Sequence, residues 1–308
     1  MKRCMGCMSE YGDELEACPV CGFSPKVLAE QREKFPEALE TGTLLFGRYH
    51  LGRVLSYTDF SIIYNAWDSL MRMQTAVREF FPFSLSDRAE GSRLVEIHQG
   101  AEDLYREVRE AFETEALTLF RNQDLFCMVN NYRVLRENGS SYIVMEYLAG
   151  ECLGDIIRSG RLSALPADEI FALIRKIRES LREIHRRGIL HLNLSPDAVY
   201  LTEEGNLKLV DFGLAKAVFY RSLAGETGVY EESFASPEIL EEGTGTRESD
   251  YYSLGKILIA LAEGRMDQGL ERGKGSLSEI AALLTDPDLS RRRTGMDRLD
   301  SWLKEYGG

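Results

Sequence analysis

Four of the six cysteines stand in two pairs, Cys4-Met5-Gly6-Cys7 and Cys18-Pro19-Val20-Cys21, with ten residues between the pairs. A C-x-x-C turn can point two thiolates at one centre. Two such turns supply the tetrahedral four-sulfur shell that structural zinc prefers. Gly6 and Gly22 relieve crowding where the backbone wraps a metal. So short a segment has no apolar core of its own, so metal binding would be its folding energy. The competing reading is free cysteines in a disordered tail. Four thiolates leave no open coordination position, which argues against a catalytic zinc.

The second stretch that could carry chemistry runs from His191 to Gly213, H-L-N-L-S-P-D-A-V-Y-L-T-E-E-G-N-L-K-L-V-D-F-G. Two short strands, around Ala198–Leu201 and Leu207–Val210, flank a Glu204-Gly205-Asn206 turn, and Asp211-Phe212-Gly213 follows. The layout resembles the catalytic loop and metal-binding tripeptide of the protein kinase family, H-R-D-x-x-x-x-N and then D-F-G. The spacing matches and several chemical residues do not. Asn193 stands where the family has its aspartate base, Ala198 where it has the metal-binding asparagine, and Leu192 where it has the arginine. Of the metal ligands only Asp211 remains. His191 reads as a structural histidine hydrogen-bonded to backbone, with a catalytic base as the alternative, and the resemblance implies that it packs on Phe212.

Further matches to that family follow in order along the chain. Ser56-Tyr57-Thr58-Asp59-Phe60-Ser61 takes the place of the glycine-rich phosphate turn without one glycine. Arg78, in Thr75-Ala76-Val77-Arg78, replaces the strand lysine that holds the phosphates. Arginine keeps the charge but is longer and forked. Glu115, on a helix marked by Leu104, Val108, Phe112, Ala116 and Leu119, matches the family's glutamate, so an Arg78–Glu115 ion pair is expected, with two separately solvated charges as the alternative. Tyr142–Gly150 reads as a buried strand running into the hinge, where Glu146 and Leu148 would face a nucleotide. Tyr200 either fills part of the adenine space or points elsewhere. Ser236-Pro237-Glu238 and Asp250-Tyr251-Tyr252-Ser253-Leu254-Gly255 resemble the end of the activation segment and the start of a central helix. Arg292, one of Arg291-Arg292-Arg293, matches the partner of that glutamate. Cys127 and Cys152 read as core cysteines.

The elements that position these residues give an α+β chain of two lobes. The organisation expected is a zinc ribbon over 1–24, a linker over 25–43 with a short helix around Val27–Lys34, and a protein kinase-like domain over 44–308. Within it, a β-rich lobe covers 44–148 and a helical lobe 149–308. A helix with one apolar stripe, Ile170, Leu173, Ile174, Ile177, Leu181 and Ile184, belongs to the second lobe.

Net charge is −13, so no global field draws in nucleic acid or an anionic membrane. The longest apolar run, Ile257–Ala262, is too short to span a bilayer. Met1-Lys2-Arg3 leads at once into a cysteine motif and not into an apolar signal segment, and paired thiols suit a reducing compartment. A cytoplasmic protein is expected. The resemblance implies ATP and Mg²⁺ as cofactors, and the lost residues count against their use. The function expected is therefore a pseudokinase, a regulatory or protein-binding module with a structural zinc ribbon. Its partner would be a protein, for instance an active kinase. The alternative is a weak ATP-dependent Ser/Thr kinase using Asp211 and one Mg²⁺.

Overall fold

The computed structural model describes residues 1–222, 234–264 and 276–306. The chain divides into two compact units. The first comprises Met1–Gln123 and Asn130–Leu148, the second Asp124–Val129 and Ala149–Gly308.

The first unit opens with a two-stranded ribbon, β1 (Lys2–Arg3) against β2 (Glu10–Tyr11). Helix α1 (Pro25–Lys34) follows. Ser24 caps its N-terminus and proline occupies the first turn, where a missing N–H costs nothing. A six-stranded antiparallel sheet comes next, built from β3 (Leu44–Leu45), β4 (Tyr49–Tyr57), β5 (Ser61–Asp68) and β6 (Met73–Phe80), then β9 (Asn131–Glu137) and β10 (Ser140–Glu146). Its strand order is β3-β4-β5-β6-β10-β9. Two-residue strands β7 (Ser86–Asp87) and β8 (Glu96–Ile97) pair ahead of α2 (Glu102–Phe120). Val108, Phe112, Ala116 and Leu119 of α2 are buried as their spacing predicts, but at the start of the stripe Leu104 is only half-buried and Tyr105 packs inside.

Residues 25–43 differ from the linker expected of them. Leu39 and Thr43 are buried, and Leu39 N–H donates to Tyr64 Oη at 2.9 Å. Behind that hydroxyl lies Glu79, fully buried, accepting from Tyr64 Oη and Tyr142 Oη at 2.7 Å each and paired with Arg88. Arg88 in turn donates to the carbonyl of Glu37. A buried carboxylate persists only when paired and hydrogen-bonded. This network closes over the segment and makes it part of the sheet's packing.

The second unit holds β11 (Gly150–Cys152), β12 (Val199–Thr202) and β13 (Leu207–Leu209) in one small antiparallel sheet. Its helices are α3 (Leu153–Arg158), α4 (Ala167–Arg186), α5 (Leu214–Ser222), α6 (Pro237–Glu242), α7 (Arg247–Glu263), α8 (Leu277–Leu284) and α9 (Leu289–Tyr306). The expected stripe of α4 is buried throughout, and each such aliphatic side chain contributes about 1.5–3 kcal/mol relative to exposure. Asp124–Val129 joins this unit because Leu209 N–H donates to Cys127 O at 2.7 Å and Val129 N–H to Leu209 O at 3.2 Å. Cys127 is buried as expected, whereas Cys152 is only half-buried and caps α3 through its sulfur. Among the described residues no helix is long and apolar enough to cross a membrane.

Candidate functional site

Arg78 and Glu79 are neighbours on β6 and so face opposite sides of the sheet. Glu79 turns into the buried network just described. Arg78 turns toward α2 and donates to Glu115 Oε1 at 3.2 Å, so the expected ion pair forms. Its Nε donates to Ser61 Oγ at 3.1 Å, and its guanidinium lies 5.0 Å from the Phe112 ring centre. Arg78 and Glu115 are both buried.

Ser61 opens β5, directly after the turn that leads from β4, where the absence of glycine has a visible consequence. The hydroxyl of Thr58 accepts the Ser61 N–H at 3.2 Å and the Phe60 N–H at 3.4 Å, while Thr58 N–H donates to Ser61 O at 2.9 Å. Backbone amides that a glycine turn would turn toward a phosphate are here accepted by a side chain of the same turn. At the end of β10, Glu146 Oε1 accepts the Asn130 N–H at 2.7 Å, and Leu148 is half-buried.

In the second unit the stretch around His191 is anchored from below by Asp250, fully buried in α7. Its carboxylate accepts the main-chain N–H groups of His191 and Leu192 at 2.9 and 2.8 Å and pairs with His185 Nε2 at 2.7 Å. His191 stacks on Phe212, ring centres 4.3 Å apart, and its Nδ1 accepts the Asn193 N–H at 3.4 Å. Burial pushes its imidazole down to about 4, so the ring is neutral and serves as a spacer.

Asn193 and Asp211 meet directly. Asn193 Nδ2 donates to Asp211 Oδ2 at 2.8 Å and to Asp211 O at 2.9 Å. Lys216 Nζ, in the first turn of α5, lies 3.4 Å from the same Oδ2. Asp211 has φ 55, the left-handed region, which costs a non-glycine residue energy that surrounding contacts must hold. Ala198 is buried with only a methyl group to offer, and its carbonyl accepts Val210 N–H at 2.9 Å. One carboxylate, already engaged by an amide and an ammonium, does not make a two-metal donor set. Tyr200 donates its hydroxyl to Gly150 O at 2.8 Å along the β11–β12 ladder.

Leu192, with φ 62, packs into an apolar cluster with Ala217 of α5 and Ile239 of α6. A further pair ties α6 to α9. Arg292 is fully buried and reaches Glu238 with both terminal nitrogens, at 2.6 and 3.1 Å. Ser249 Oγ adds a third bond to that carboxylate at 2.7 Å. Of the arginines at 291 to 293, only Arg292 is inside.

The four ribbon cysteines converge. Their sulfurs all lie within 4.8 Å of one another, with Cys4–Cys21 at 3.6 Å and Cys7–Cys18 at 3.7 Å. A tetrahedron of thiolates around zinc has edges of about 3.8 Å, given bonds of about 2.3 Å. Gly6 N–H donates to Cys4 Sγ at 3.2 Å, and a Cβ at Gly6 would run into Phe23, which explains the glycine. Burial works against the Cys7 thiolate, but hydrogen bonds from Ser9 outweigh it and bring the thiol down to about 7. Burial instead pushes Cys21 up to about 12. The donor set fits a structural zinc with every position filled by protein.

Sequence reasoning missed Lys216 and the acceptor role of Thr58. A cation five residues after Asp211 on a helical start was a readable signal for the first. The second needed the turn's geometry.

The family model described as "Protein kinase domain" matches residues 101–289. A protein of Clostridium acetobutylicum named as a probable serine/threonine-protein kinase is 26% identical over 226 residues, 73% of this chain and 31% of its own length. Serine/threonine-protein kinase PrkC of Bacillus subtilis is 27% identical over 226 residues, 73% of this chain and 32% of its own length. The chain thus spans about a third of the length of these curated relatives. Among solved structures, PpkA-294 in its apo form aligns with TM-score 0.70 at 20% identity, covering 87% of this chain and 99% of that one. That likeness establishes the fold: a β-sheet lobe and a helical lobe, preceded by the cysteine-bearing ribbon.

Proposed function

The chain belongs to the protein kinase family, and we propose that it acts as a regulatory or protein-binding module of that fold whose phosphoryl transfer is impaired. The observation that carries this reading is the role of Asn193. Its amide stands at the position of the catalytic base and donates hydrogen bonds to Asp211, whereas a base must accept the substrate's proton. Phosphoryl transfer rests on positioning and on neutralising charge. Ala198 has no ligand to give, the turn amides are accepted by Thr58, and Arg78 is committed to Glu115 and Ser61. What the chain keeps is the fold, and function follows the site and not the fold. The partner in this reading is a protein, an active kinase among the candidates. The acidic chain disfavours nucleic acid. Four thiols kept for a structural zinc fit the cytoplasm.

A second reading retains activity: an ATP-dependent Ser/Thr kinase, slow, using Asp211 and a single Mg²⁺. The relatives favour it, since the two bacterial proteins above carry serine/threonine kinase names, and taken alone the comparisons back it better than the first. The retained Asp211 and the Arg78–Glu115 pair also speak for it. Calorimetric titration with ATP, with and without Mg²⁺, separates the two. No binding heat, or binding indifferent to Mg²⁺, supports the impaired module. Tight Mg²⁺-dependent binding supports the kinase.

A further inference from the structure

Strand β4 does not run evenly beside β5. Its register shifts between Leu51 and Val54 and again between Val54 and Ser56. Such irregularities leave backbone N–H groups outside the ladder, and each needs another acceptor if it is to be buried. Both acceptors come from the N-terminal segment. Arg53 N–H donates to Met5 O at 2.8 Å, and Val54 N–H donates to Gln31 Oε1 of α1 at 3.0 Å. On the neighbouring strand, Asn65 is fully buried and donates from Nδ2 to Gly6 O at 2.8 Å, while its Oδ1 accepts Gln74 Nε2 at 2.9 Å.

The fit at this seam is close. Gly52 lies so near the ribbon that a Cβ there would collide with Met5 O and with Met8 Cε. The guanidinium of Arg3 covers the Trp67 ring at 3.5 Å, and Met8 is buried with φ 63. The two carbonyls used, Met5 O and Gly6 O, lie between Cys4 and Cys7. The loop whose shape a metal would fix is therefore the loop that completes the hydrogen bonding of β4 and β5. A ribbon without a core takes its shape from its metal. When two sites share one structural element, each changes the other's free energy by the same amount.

We propose that metal occupancy of the four cysteines controls the order of the Tyr49–Asp68 hairpin through the Met5–Arg53 and Gly6–Asn65 contacts. The metal centre is thereby a regulator of the Ser56–Ser61 turn. This holds for an active or an impaired kinase alike, so it stands apart from the reading above.

Hydrogen exchange on the full chain, zinc-loaded and after chelation, tests it. Loss of zinc should speed exchange across residues 49–68 as well as 1–24, with α2 and α7 unchanged. Faster exchange confined to 1–24 would overturn the proposal. The reciprocal measurement keeps the test decisive if chelation unfolds the whole chain. Gly52→Ala and Asn65→Ala touch no metal ligand, yet each should raise the apparent zinc dissociation constant about tenfold against a colorimetric chelator. Unchanged zinc affinity in both variants would also overturn it.

Discussion

The side-chain amide of Asn193 bridges the carboxylate and the carbonyl of Asp211, at 2.8 and 2.9 Å. An aspartate in its place would set two carboxylates at that separation, and like charges so close cannot both ionise without cost. Asn193→Asp should lower the melting temperature at neutral pH, and added Mg²⁺ should recover part of the loss. The unmodified protein should show a smaller Mg²⁺ shift. Scanning fluorimetry with and without Mg²⁺ reads the difference, and an equal shift in both proteins would contradict the arrangement.

Glu238→Ala should destabilise the second unit by about 3–5 kcal/mol, because it leaves the fully buried Arg292 without its carboxylate. A pH dependence follows. Burial raises the Glu238 carboxyl, but Arg292 and Ser249 outweigh burial and hold it below the ordinary value. A depressed carboxylate stabilises fully above its unfolded value, and that stability is lost as pH falls through the folded value. Denaturation curves across the acidic range should therefore be steeper for the unmodified protein than for Glu238→Gln. Parallel curves would show that the pair contributes nothing.

That pair was legible in the sequence because family spacing marks both partners across 54 residues. The course of residues 25–43 was not. Their polar composition reads as a linker, and the contacts that hold them, Leu39 on Tyr64 and Gln31 on Val54, come from strands whose irregular register no period reveals. The convergence of the four cysteines was legible from spacing alone. The seam joining them to β4 and β5 rests on backbone carbonyls, which carry no residue signature.

Zinc analysis of the purified protein should give one ion per chain, and Cys18→Ser should lower it. A full complement in a variant lacking all four cysteines would remove the assignment.

A phosphate on the segment after Gly213 should find no arginine at position 192 to order it, since Leu192 packs with Ala217 and Ile239. Ser222, exposed at the end of α5, is the described candidate. Thr227, Tyr230 and Ser233 lie outside the described residues. Phosphorylated and unmodified protein should show equal hydrogen exchange over α5. Strong new protection there would mean that another cation has taken the role.

This chain should not transfer phosphate at a kinase's rate, and repairing one position should not revive it. The altered groups act as a unit, so the effects of restoring them are far from additive. Incorporation of radiolabelled phosphate from ATP, supplied with Mg²⁺ and generic protein substrates, reads this. Background incorporation is expected for the unmodified protein and for Asn193→Asp alone. Robust autophosphorylation by the unmodified protein, abolished by Asp211→Ala, would contradict it and establish the active kinase.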